Sequence, residues 1–421
     1  MINNSSTFCM FPFTGLATRE DGQMKLCCKS HPIGDITKET LEEVWNNDTM
    51  KRIRKQVLSS ERPSECQGCY VYEDQGVESM RQRHNGTSTD ETRMSLYPNI
   101  LDKLNSDYTM PFEMPSIEIR LTNLCNLKCR MCSPLDSTSW NDWNEIKEFY
   151  DKEHSLIGKT IIELQLDKKP YVDAFIDNDE WWTSFEKLVP YFQRVEFAGG
   201  EPLMDPSHYR ILELLQPNAH NIELKYATNL TTLGKGKYQV KDYWNKFKSI
   251  AVNASIDGVG DTYEYIRTNA KWDEVLANIE IVKQIPNVRR VVASVAVQAT
   301  NVLSLDKTIE YFLDDLGVIY WSNFVRYPNV LSAQVLPKEL KELAIERLKT
   351  VKFKVKDFKL VKENPILLDI SLNQIDNVIK FLQGDDYSHM FKDFIEFNNK
   401  LDKTRKQGPI EYIVPELKPY I

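Results

Sequence analysis

Apolar and polar positions alternate along the chain in two rhythms, which predict strands separated by helices. Runs of strand character recur through the middle of the chain, beginning near Ile117, Arg194, Ile222, Ser249, Val288 and Val318. Between the last three runs, apolar residues fall at helical spacing. One such segment is Trp272–Ile285, and another starts at a predicted cap, Ser304, and stops at Gly317. Buried apolar strands that alternate with helices are typical of an α/β fold built on a parallel sheet.

The two ends of the chain follow other patterns. Near the start, the stretch EDGQMKLCC predicts a β-hairpin that turns at Asp21 and Gly22. Residues 36–60 predict one amphipathic helix, which opens with a capping box between Thr40 and Glu43. The last part of the chain is helical in pattern. The predicted regions are therefore a small N-terminal domain (1–85), a linker (86–114), the strand–helix region (115–328) and a helical C-terminal region (329–421).

The stretch between Cys132 and the strand near Arg194 is longer than one crossover helix needs. Two tryptophan-rich segments predict helices there, and residues 156–176 between them predict a lid or a surface subdomain. Trp181 and Trp182 belong to the second helix. Clustered aromatic side chains usually pack in a core, so we do not assign these two to a substrate.

Composition and charge exclude some classes of function. The formal net charge is −8 and the isoelectric point is near 5.5, which argues against a broad electrostatic grip on nucleic acid. Arg81, Arg83 and His84 form a basic run that predicts a solvated linker, with a substrate clamp as the alternative. No apolar stretch approaches the roughly 20 residues of a membrane span. The first residues lack a signal-peptide pattern, so we expect a cytoplasmic protein without a membrane partner.

Three cysteines lie close together directly after the first predicted strand. In LTNLCNLKCRMCSP, Cys125, Cys129 and Cys132 form a C-x3-C-x2-C array on one loop. Three thiolates can bind three irons of a cubane cluster and leave the fourth iron open, whereas four thiolates restrict a cluster to electron transfer. The alternative is a zinc knuckle. Zinc needs four ligands, and no fourth Cys or His lies nearby in the sequence.

This array resembles the defining motif of the radical SAM superfamily. The resemblance implies that the three cysteines hold a 4Fe–4S cluster whose open iron chelates S-adenosylmethionine (SAM). It also implies reductive cleavage of SAM to a 5′-deoxyadenosyl radical. The fold expected from it is a partial (β/α)6 barrel from about Ile117 to Pro328, with ligands at the C-terminal strand ends.

A second motif follows the strand near Arg194. Gly199, Gly200 and Glu201 end this strand, where paired glycines admit a ligand closely and the carboxylate offers a partner for an amine. This GGE is similar to the motif that binds the SAM amino group in the radical SAM family. The resemblance implies further SAM contacts. These are Met131 at the adenine, Asn229 in a TNL where relatives have TNG, Ser255 and Asp257 at a strand end, and Arg267 at the SAM carboxylate. The alternative for each is a structural role in the core, in a cap or turn, or in an ion pair.

Five further cysteines precede the triad: Cys9, Cys27, Cys28, Cys66 and Cys69. In a reducing compartment, clustered cysteines are more often metal ligands than disulfides. Four of them, with Gly22, resemble the SPASM/twitch signature of auxiliary-cluster domains, C-x(9–15)-G-x4-C with a later C-x2-C. The ligands implied by that resemblance are Cys9, Cys27, Cys66 and Cys69.

The number and spacing of these cysteines favour particular versions of the site. None occurs between Cys69 and Cys125, which favours the twitch form with one auxiliary 4Fe–4S cluster. The glycine spacing favours Cys27 over Cys28. A four-cysteine zinc site is the alternative, and His31 is interpreted as a surface or structural residue.

Both resemblances together imply an enzyme of the oxidoreductase or maturase type. We expect it to abstract a hydrogen atom from a substrate C–H bond, to modify a peptide oxidatively, and to pass the remaining electron to the auxiliary cluster. The expected electron donor is a flavodoxin or ferredoxin. The alternatives are a small polar metabolite or sugar as substrate, and a non-catalytic iron–sulfur redox sensor, which the intact GGE disfavours.

Overall fold

A computed structural model describes residues 5–85, 96–151 and 171–421, together with Ile161 and Leu166. Its strands are β1 (Gly15–Thr18), β2 (Gln23–Lys25), β3 (Pro32–Asp35), β4 (Ser116–Ile119), β5 (Lys128–Cys129), β6 (Arg194–Phe197), β7 (Glu223–Thr228), β8 (Gly234–Lys235), β9 (Tyr238–Gln239), β10 (Ser249–Ser255), β11 (Arg267–Thr268), β12 (Val288–Val297) and β13 (Ile319–Phe324).

The α-helices are α1 (Phe11–Thr14), α2 (Leu41–Asn46), α3 (Asp48–Leu58), α4 (Gln67–Asp74), α5 (Met80–Asn85), α6 (Trp143–Asp151), α7 (Asp179–Leu188), α8 (Pro206–Leu215), α9 (Lys241–Trp244), α10 (Asp261–Ile266), α11 (Trp272–Lys283), α12 (Leu305–Glu310), α13 (Lys338–Lys354), α14 (Lys359–Glu363), α15 (Leu367–Leu382), α16 (Phe391–Arg405) and α17 (Ile410–Ile413). Among the described residues, no helix is both long enough and apolar enough to cross a membrane.

The chain divides into two compact units. The first unit comprises Met1–Asn123, Val172–Tyr226 and Gly234–Ile250, and the second comprises Leu124–Tyr171, Ala227–Leu233 and Ala251–Ile421. Each unit is assembled from separate stretches of chain. The four regions predicted from the sequence follow chain order instead, and their boundaries stay predictions.

The first unit is built on a sheet in the order β3-β2-β1-β4-β6-β7. The N-terminal hairpin is antiparallel, and its strand β1 pairs in parallel with β4, so the hairpin extends the sheet that β4, β6 and β7 form. Gly15 permits this close pairing, because a Cβ atom there would lie 2.2 Å from the carbonyl oxygen of Ser116. The small N-terminal domain therefore does not stand alone: it shares its sheet with the first strand of the strand–helix region.

The parallel strands of the first unit have two different faces. On β6, Val195 and Phe197 are buried, and the Phe197 ring lies 4.6 Å from the His208 ring of α8. The opposite face carries half-buried charged residues in one register, Glu118, Glu196 and Lys225. The sequence predicted buried apolar strands, whereas one face of these strands carries half-buried charged residues. Parallel strands are buried on both faces only where helices cover both sides of the sheet.

In the second unit, β10, β12 and β13 are neighbours in that order, and β12 and β13 run parallel. Helix α15 packs on β13 through polar contacts: Gln374 accepts a hydrogen bond from the Ser322 amide at 2.8 Å, and Tyr320 donates to the Ser371 carbonyl at 3.3 Å. Helix α16 meets α6, where the Phe149 and Phe397 rings are 5.4 Å apart. The α/β fold and the helical C-terminal region predicted from the sequence are confirmed.

Several local predictions are confirmed as well. All six predicted strands are present, as β4, β6, β7, β10, β12 and β13. The capping box of Thr40 and Glu43 forms, and Gly22 takes a positive φ of 87° at the hairpin turn. Beyond these predictions, the structure shows that α8 begins at Pro206, with the Asp205 side chain as its cap.

Other local predictions were wrong. The single helix over 36–60 is two helices, because Asn47 is extended and caps α3 by accepting a hydrogen bond from the Met50 amide at 3.0 Å. Ser304 stands directly before α12 but makes no side-chain cap hydrogen bond. The predicted stop at Gly317 is confirmed: a π-helical turn follows α12 and ends there, where Gly317 has a φ of 63°.

The structure also describes part of the basic run and part of the predicted lid. Arg81 is buried and pairs with Glu73 at 2.5 Å, so it belongs neither to a solvated linker nor to a clamp. Trp181 and Trp182 are buried, as predicted. Residues 86–95 and most of the predicted lid at 156–176 lie outside the described residues.

Candidate metal centres

The loop with Cys125, Cys129 and Cys132 lies in the second unit, and its middle is held by a short strand pair. Strand β5 pairs antiparallel with β11, which places Cys129 opposite Arg267. The Cys132 amide donates to the Cys129 carbonyl at 3.0 Å, so the chain turns tightly between these two cysteines. Cys125 and Cys129 are buried and Cys132 is half-buried. The loop thus holds three thiols on a short, constrained segment.

Three side chains outside the loop hold its backbone and one sulfur. The indole of Trp140 donates to the Cys129 carbonyl at 2.8 Å, and the Arg405 guanidinium donates to the Lys128 carbonyl at 2.8 Å. The Nη1 atom of Arg267 lies 3.6 Å from the Cys129 sulfur. Cys129 is therefore fixed through its own backbone, its neighbour's backbone and its thiol.

Arg130, between two of the cysteines, is fully buried and anchors the loop to the C-terminal helix α16. Its guanidinium donates to Asn398 at 2.9 Å and to Gln407 at 2.7 Å, and it forms an ion pair with Asp402. The guanidinium also stacks 3.6 Å from the centre of the Tyr265 ring. A buried arginine with this many partners fixes the loop in one position relative to α16.

The thiols of this loop differ in how readily they ionise. A hydrogen bond from Cys132 lowers the pKa of Cys129; burial opposes this effect and the charge of Arg267 supports it. The same hydrogen bond, with burial, raises the pKa of Cys132. Iron binds thiolates, and the guanidinium beside Cys129 offsets the negative charge. These three residues fit the three protein ligands of an open 4Fe–4S cluster.

The GGE motif lies in the first unit, at the end of β6. Gly199 has a φ of 116°, and a Cβ there would lie 3.1 Å from the Thr122 carbonyl, to which Gly200 donates its amide at 3.2 Å. Glu201 is buried, and its Oε1 accepts a hydrogen bond from the Leu203 amide at 3.1 Å. The glycines thus bring two strand ends close together, while the carboxylate caps the turn that follows.

Asn229, Asp257 and Arg267 gather around the cysteine loop within the second unit. The Asn229 amide nitrogen lies 3.7 Å from the Cys125 sulfur. Asp257 forms an ion pair with Arg267 at 2.8 Å. The structure therefore places two predicted SAM contacts, Asn229 and Arg267, against cysteine sulfurs. Whether any of these residues touches SAM stays a prediction.

Two other predicted SAM contacts have simpler surroundings. Met131 is half-buried within the cysteine loop, and Ser255 is half-buried at the last position of β10. Leu230 stands where relatives have glycine, and its φ of 53° is in the left-handed region. The departure from TNG therefore keeps the backbone shape that a glycine would adopt.

Four of the N-terminal cysteines surround one cavity in the first unit. The lining of this cavity includes Cys9, Cys27, Cys66 and Cys69. Cys28 is not part of this lining, and its sulfur lies 3.7 Å from that of Met80. Exposed His31 is likewise not part of the lining. The structure brings together the four thiols predicted from the sequence, with Cys27 rather than Cys28.

Burial makes these four thiols costly to ionise unless a cation is present. It raises the pKa of Cys66 to about 12, and it also raises the pKa values of Cys9, Cys27 and Cys69. A metal centre would offset the charge of the thiolates. Among the described residues, no three His, Cys, Asp or Glu side chains are arranged to hold a single ion. Four cysteine thiolates can hold either one zinc ion or a 4Fe–4S cluster.

Sequence reasoning missed the residues that support the loop. Trp140, Arg405 and Asp402 reach the cysteine loop directly or through Arg130, yet none belongs to a recognisable motif. Asp402 is more than 250 positions from Arg130 in the chain. Only the fold brings such residues together, so no local signal could have identified them.

Comparison with known proteins gives two family matches. Residues 119–298 match the Radical SAM superfamily, and residues 9–70 match SPASM, an iron–sulfur cluster-binding domain. A solved structure, "Structure of TYW1 with a lysine-pyruvate adduct bound", is 15% identical, with a TM-score of 0.28, over 58% of this chain and 71% of that one. No curated protein matches the chain significantly. The two family matches contain all seven candidate cluster cysteines.

Proposed function

Because the chain is a radical SAM protein that carries an auxiliary iron–sulfur domain, we propose that it oxidises a peptide at an unreactive C–H bond. The observation that carries this proposal is the cavity lined by Cys9, Cys27, Cys66 and Cys69, in addition to the three-cysteine loop. Four thiolates complete the coordination of an auxiliary cluster. Such a cluster suits electron transfer rather than direct binding of substrate.

The proposed reaction is a net two-electron oxidation. When bound, SAM and its cluster supply the one-electron chemistry that takes a hydrogen atom from carbon. The auxiliary cluster that Cys9, Cys27, Cys66 and Cys69 would hold would take up the remaining electron, and the accompanying proton would pass to a base or to water. In this scheme Cys125, Cys129 and Cys132 hold the SAM-binding cluster. Gly199 and Gly200 would leave room for the SAM amino group, which would donate a hydrogen bond to the Glu201 carboxylate.

A polar substrate is supported by the charged face of the first unit's sheet. Glu118 pairs with Arg120 at 3.0 Å and Glu196 pairs with Lys225 at 3.0 Å, and all four side chains keep part of their surface exposed. Carboxylate and basic groups that stay partly exposed retain acceptors and donors for hydrogen bonds with a polar ligand. A peptide carries polar backbone groups along its length and can use such a face.

A small polar metabolite or sugar is the second candidate, since the same charged face would suit it. A flavodoxin or ferredoxin is the proposed electron donor for either substrate. We propose an enzyme of the oxidoreductase or maturase type, and the substrate decides between these two subtypes.

The direct test is SAM cleavage by the reconstituted protein under anaerobic conditions. With dithionite, or with flavodoxin and its reductase, wild type is expected to form 5′-deoxyadenosine and methionine. The control is Cys125→Ala/Cys129→Ala/Cys132→Ala, which is expected to form neither. Cluster-loaded wild type that cleaves no SAM with either reductant would instead support the redox sensor.

A second experiment separates the two substrates and tests the auxiliary cluster. The enzyme and SAM are incubated with short peptides encoded beside the gene or, as the alternative, with sugars. The masses of the products are measured by mass spectrometry. The peptide proposal expects loss of two hydrogen atoms from a peptide. Cys66→Ala/Cys69→Ala is expected to cleave SAM without forming that product. Oxidised product at the wild-type yield would remove the auxiliary cluster from the electron path.

A further inference from the structure

We propose that Arg267, balanced by Asp257, sets the reduction potential of the cluster held by Cys125, Cys129 and Cys132. Both residues lie in the second unit with that cluster loop. The Arg267 Nη1 atom lies 3.6 Å from the Cys129 sulfur, and its Nε atom lies 2.8 Å from Asp257 Oδ2. One cation therefore stands between a cluster ligand and a carboxylate. This inference rests on the cluster assignment, not on the identity of the substrate.

The position of Arg267 is fixed by its backbone as well as by its side chain. Its backbone pairs with that of Cys129 in the β5–β11 ladder. Asp257 is fully buried, and its Oδ1 accepts a hydrogen bond from the Ala296 amide at 2.7 Å. The Asp257 carbonyl in turn accepts a hydrogen bond from Asn301 at 2.8 Å. The guanidinium is thus held beside the sulfur by two anchored neighbours.

The ion pair leaves guanidinium donors for the sulfur. Asp257 Oδ2 lies 2.8 Å from Nε of Arg267, whereas the contact with the Cys129 sulfur is made by Nη1. Asp257 therefore supplies charge and position without taking up the Nη1 donor, which points to Cys129. A hydrogen bond to a cluster thiolate and a nearby positive charge both stabilise the reduced cluster, which carries one more negative charge. The carboxylate of Asp257 acts in the opposite direction.

This arrangement predicts effects of opposite sign from two adjacent residues. Removing the guanidinium removes a donor and a positive charge, so the cluster becomes harder to reduce. Neutralising the carboxylate leaves the positive charge uncompensated, so the cluster becomes easier to reduce. A merely structural pair would not behave this way, because losing either partner would disturb the loop in the same direction.

The test is a redox titration of the loaded, SAM-free protein, followed by the EPR signal that SAM addition identifies as that of the SAM-binding cluster. At the wild-type midpoint, Arg267→Met is expected to lower the ratio of reduced to oxidised cluster about tenfold, which is about 59 mV for one electron. Arg267→Lys keeps the positive charge, so its ratio of reduced to oxidised cluster is expected to fall less than that of Arg267→Met. Asp257→Asn is expected to raise the ratio several-fold.

Three controls accompany the titration. Iron per chain must match wild type in every variant. The auxiliary cluster, whose four cysteines lie in the first unit, is expected to titrate unchanged in the same samples. Arg347→Met removes an arginine that pairs with Glu416 at 2.6 Å in the second unit, and is expected to leave the ratio unchanged.

Two results would overturn the inference. In one, the single variants Arg267→Met and Asp257→Asn are both fully loaded with iron, yet their ratios of reduced to oxidised cluster stay unchanged or shift in the same direction. The other is an unchanged SAM-free ratio with a raised Kd for SAM in Arg267→Met, which would assign Arg267 to SAM binding. If the proposed radical SAM function is wrong, the wild-type protein will show no EPR signal that responds to SAM, and this will be seen before any variant is compared.

Discussion

At the residue scale, neighbouring cysteines have different surroundings. Cys27 lines the cavity with Cys9, Cys66 and Cys69, while the Cys28 sulfur contacts that of Met80. Both cysteines lie in the turn that follows β2, where the Ser30 amide donates to the Cys27 carbonyl at 3.1 Å, and this turn directs the two side chains to different surroundings. The spacing from Gly22 in the family signature predicted the same choice.

The first prediction therefore compares two single variants. Cys27→Ala is expected to lose the auxiliary cluster, and Cys28→Ala to keep it, since only Cys27 lines the cavity. Iron and sulfide per chain after anaerobic reconstitution measure the difference, and each variant is the control for the other. Retention of both clusters in Cys27→Ala, with loss in Cys28→Ala, would reverse the ligand assignment.

The second prediction concerns Leu230, which has a φ of 53° and a fully buried side chain. Glycine would relieve roughly 1–2 kcal/mol of left-handed strain. Removing a buried leucine side chain costs about 2–5 kcal/mol, so packing outweighs the relief. Leu230→Gly is expected to lower Tm by a few degrees, measured by circular dichroism.

Leu230→Ala is the matched control for that prediction. It loses nearly the same side chain but gains no freedom at positive φ, so its Tm is expected to fall further than that of Leu230→Gly. A Tm of Leu230→Gly above that of wild type would show that backbone strain, not packing, dominates at this position.

Residue identities alone gave the two cysteine sets but not the surroundings of the SAM-binding cluster. The cysteines could be found because ligand spacing within one loop is a local property of sequence. Arg267 and Asn229 were predicted to contact SAM, and the structure places them on sulfurs of cysteines that precede them by more than a hundred positions. Such contacts depend on the fold, which local patterns do not specify.

At the element scale, the sequence predicted strands better than helix boundaries or strand neighbours. Apolar runs located six strands of the strand–helix region, but not its two-residue strands β5, β8, β9 and β11. The break at Asn47 was missed because the apolar spacing continues across it. The pairing of β1 with β4 was missed because it joins residues about a hundred positions apart.

The third prediction concerns helix α16 as a support for the cysteine loop. Arg130 is fully buried and pairs with Asp402 of that helix. Removing one member of a buried pair leaves an uncompensated charge and typically costs 3–5 kcal/mol. Asp402→Leu is expected to lower Tm and to reduce iron retained by the Cys125 loop on dilution.

The double variant Arg130→Met/Asp402→Leu tests whether the loss comes from the unpaired charge. It removes both charges, so it is expected to recover much of the Tm lost by Asp402→Leu. Tm and retained iron are measured in the same samples. Equal losses in the single and double variants would mean that the ion pair itself, rather than an unpaired charge, supports the loop.

At the scale of the whole molecule, each compact unit carries one set of cluster cysteines. Cys9, Cys27, Cys66 and Cys69 belong to the first unit, and Cys125, Cys129 and Cys132 to the second. The sequence predicted both sets. It did not predict the units, because each is assembled from separate stretches of chain. The central claim is that this one chain holds two clusters with different coordination.

The most direct test of that claim counts iron and sulfide per chain after anaerobic reconstitution. Wild type is expected to hold about eight irons, and Cys125→Ala/Cys129→Ala/Cys132→Ala about four, as two cubane clusters require. Cys66→Ala/Cys69→Ala is also expected to hold about four, and to keep the SAM-dependent EPR signal. About four irons in wild type, almost none in the triple variant, and bound zinc would contradict the account.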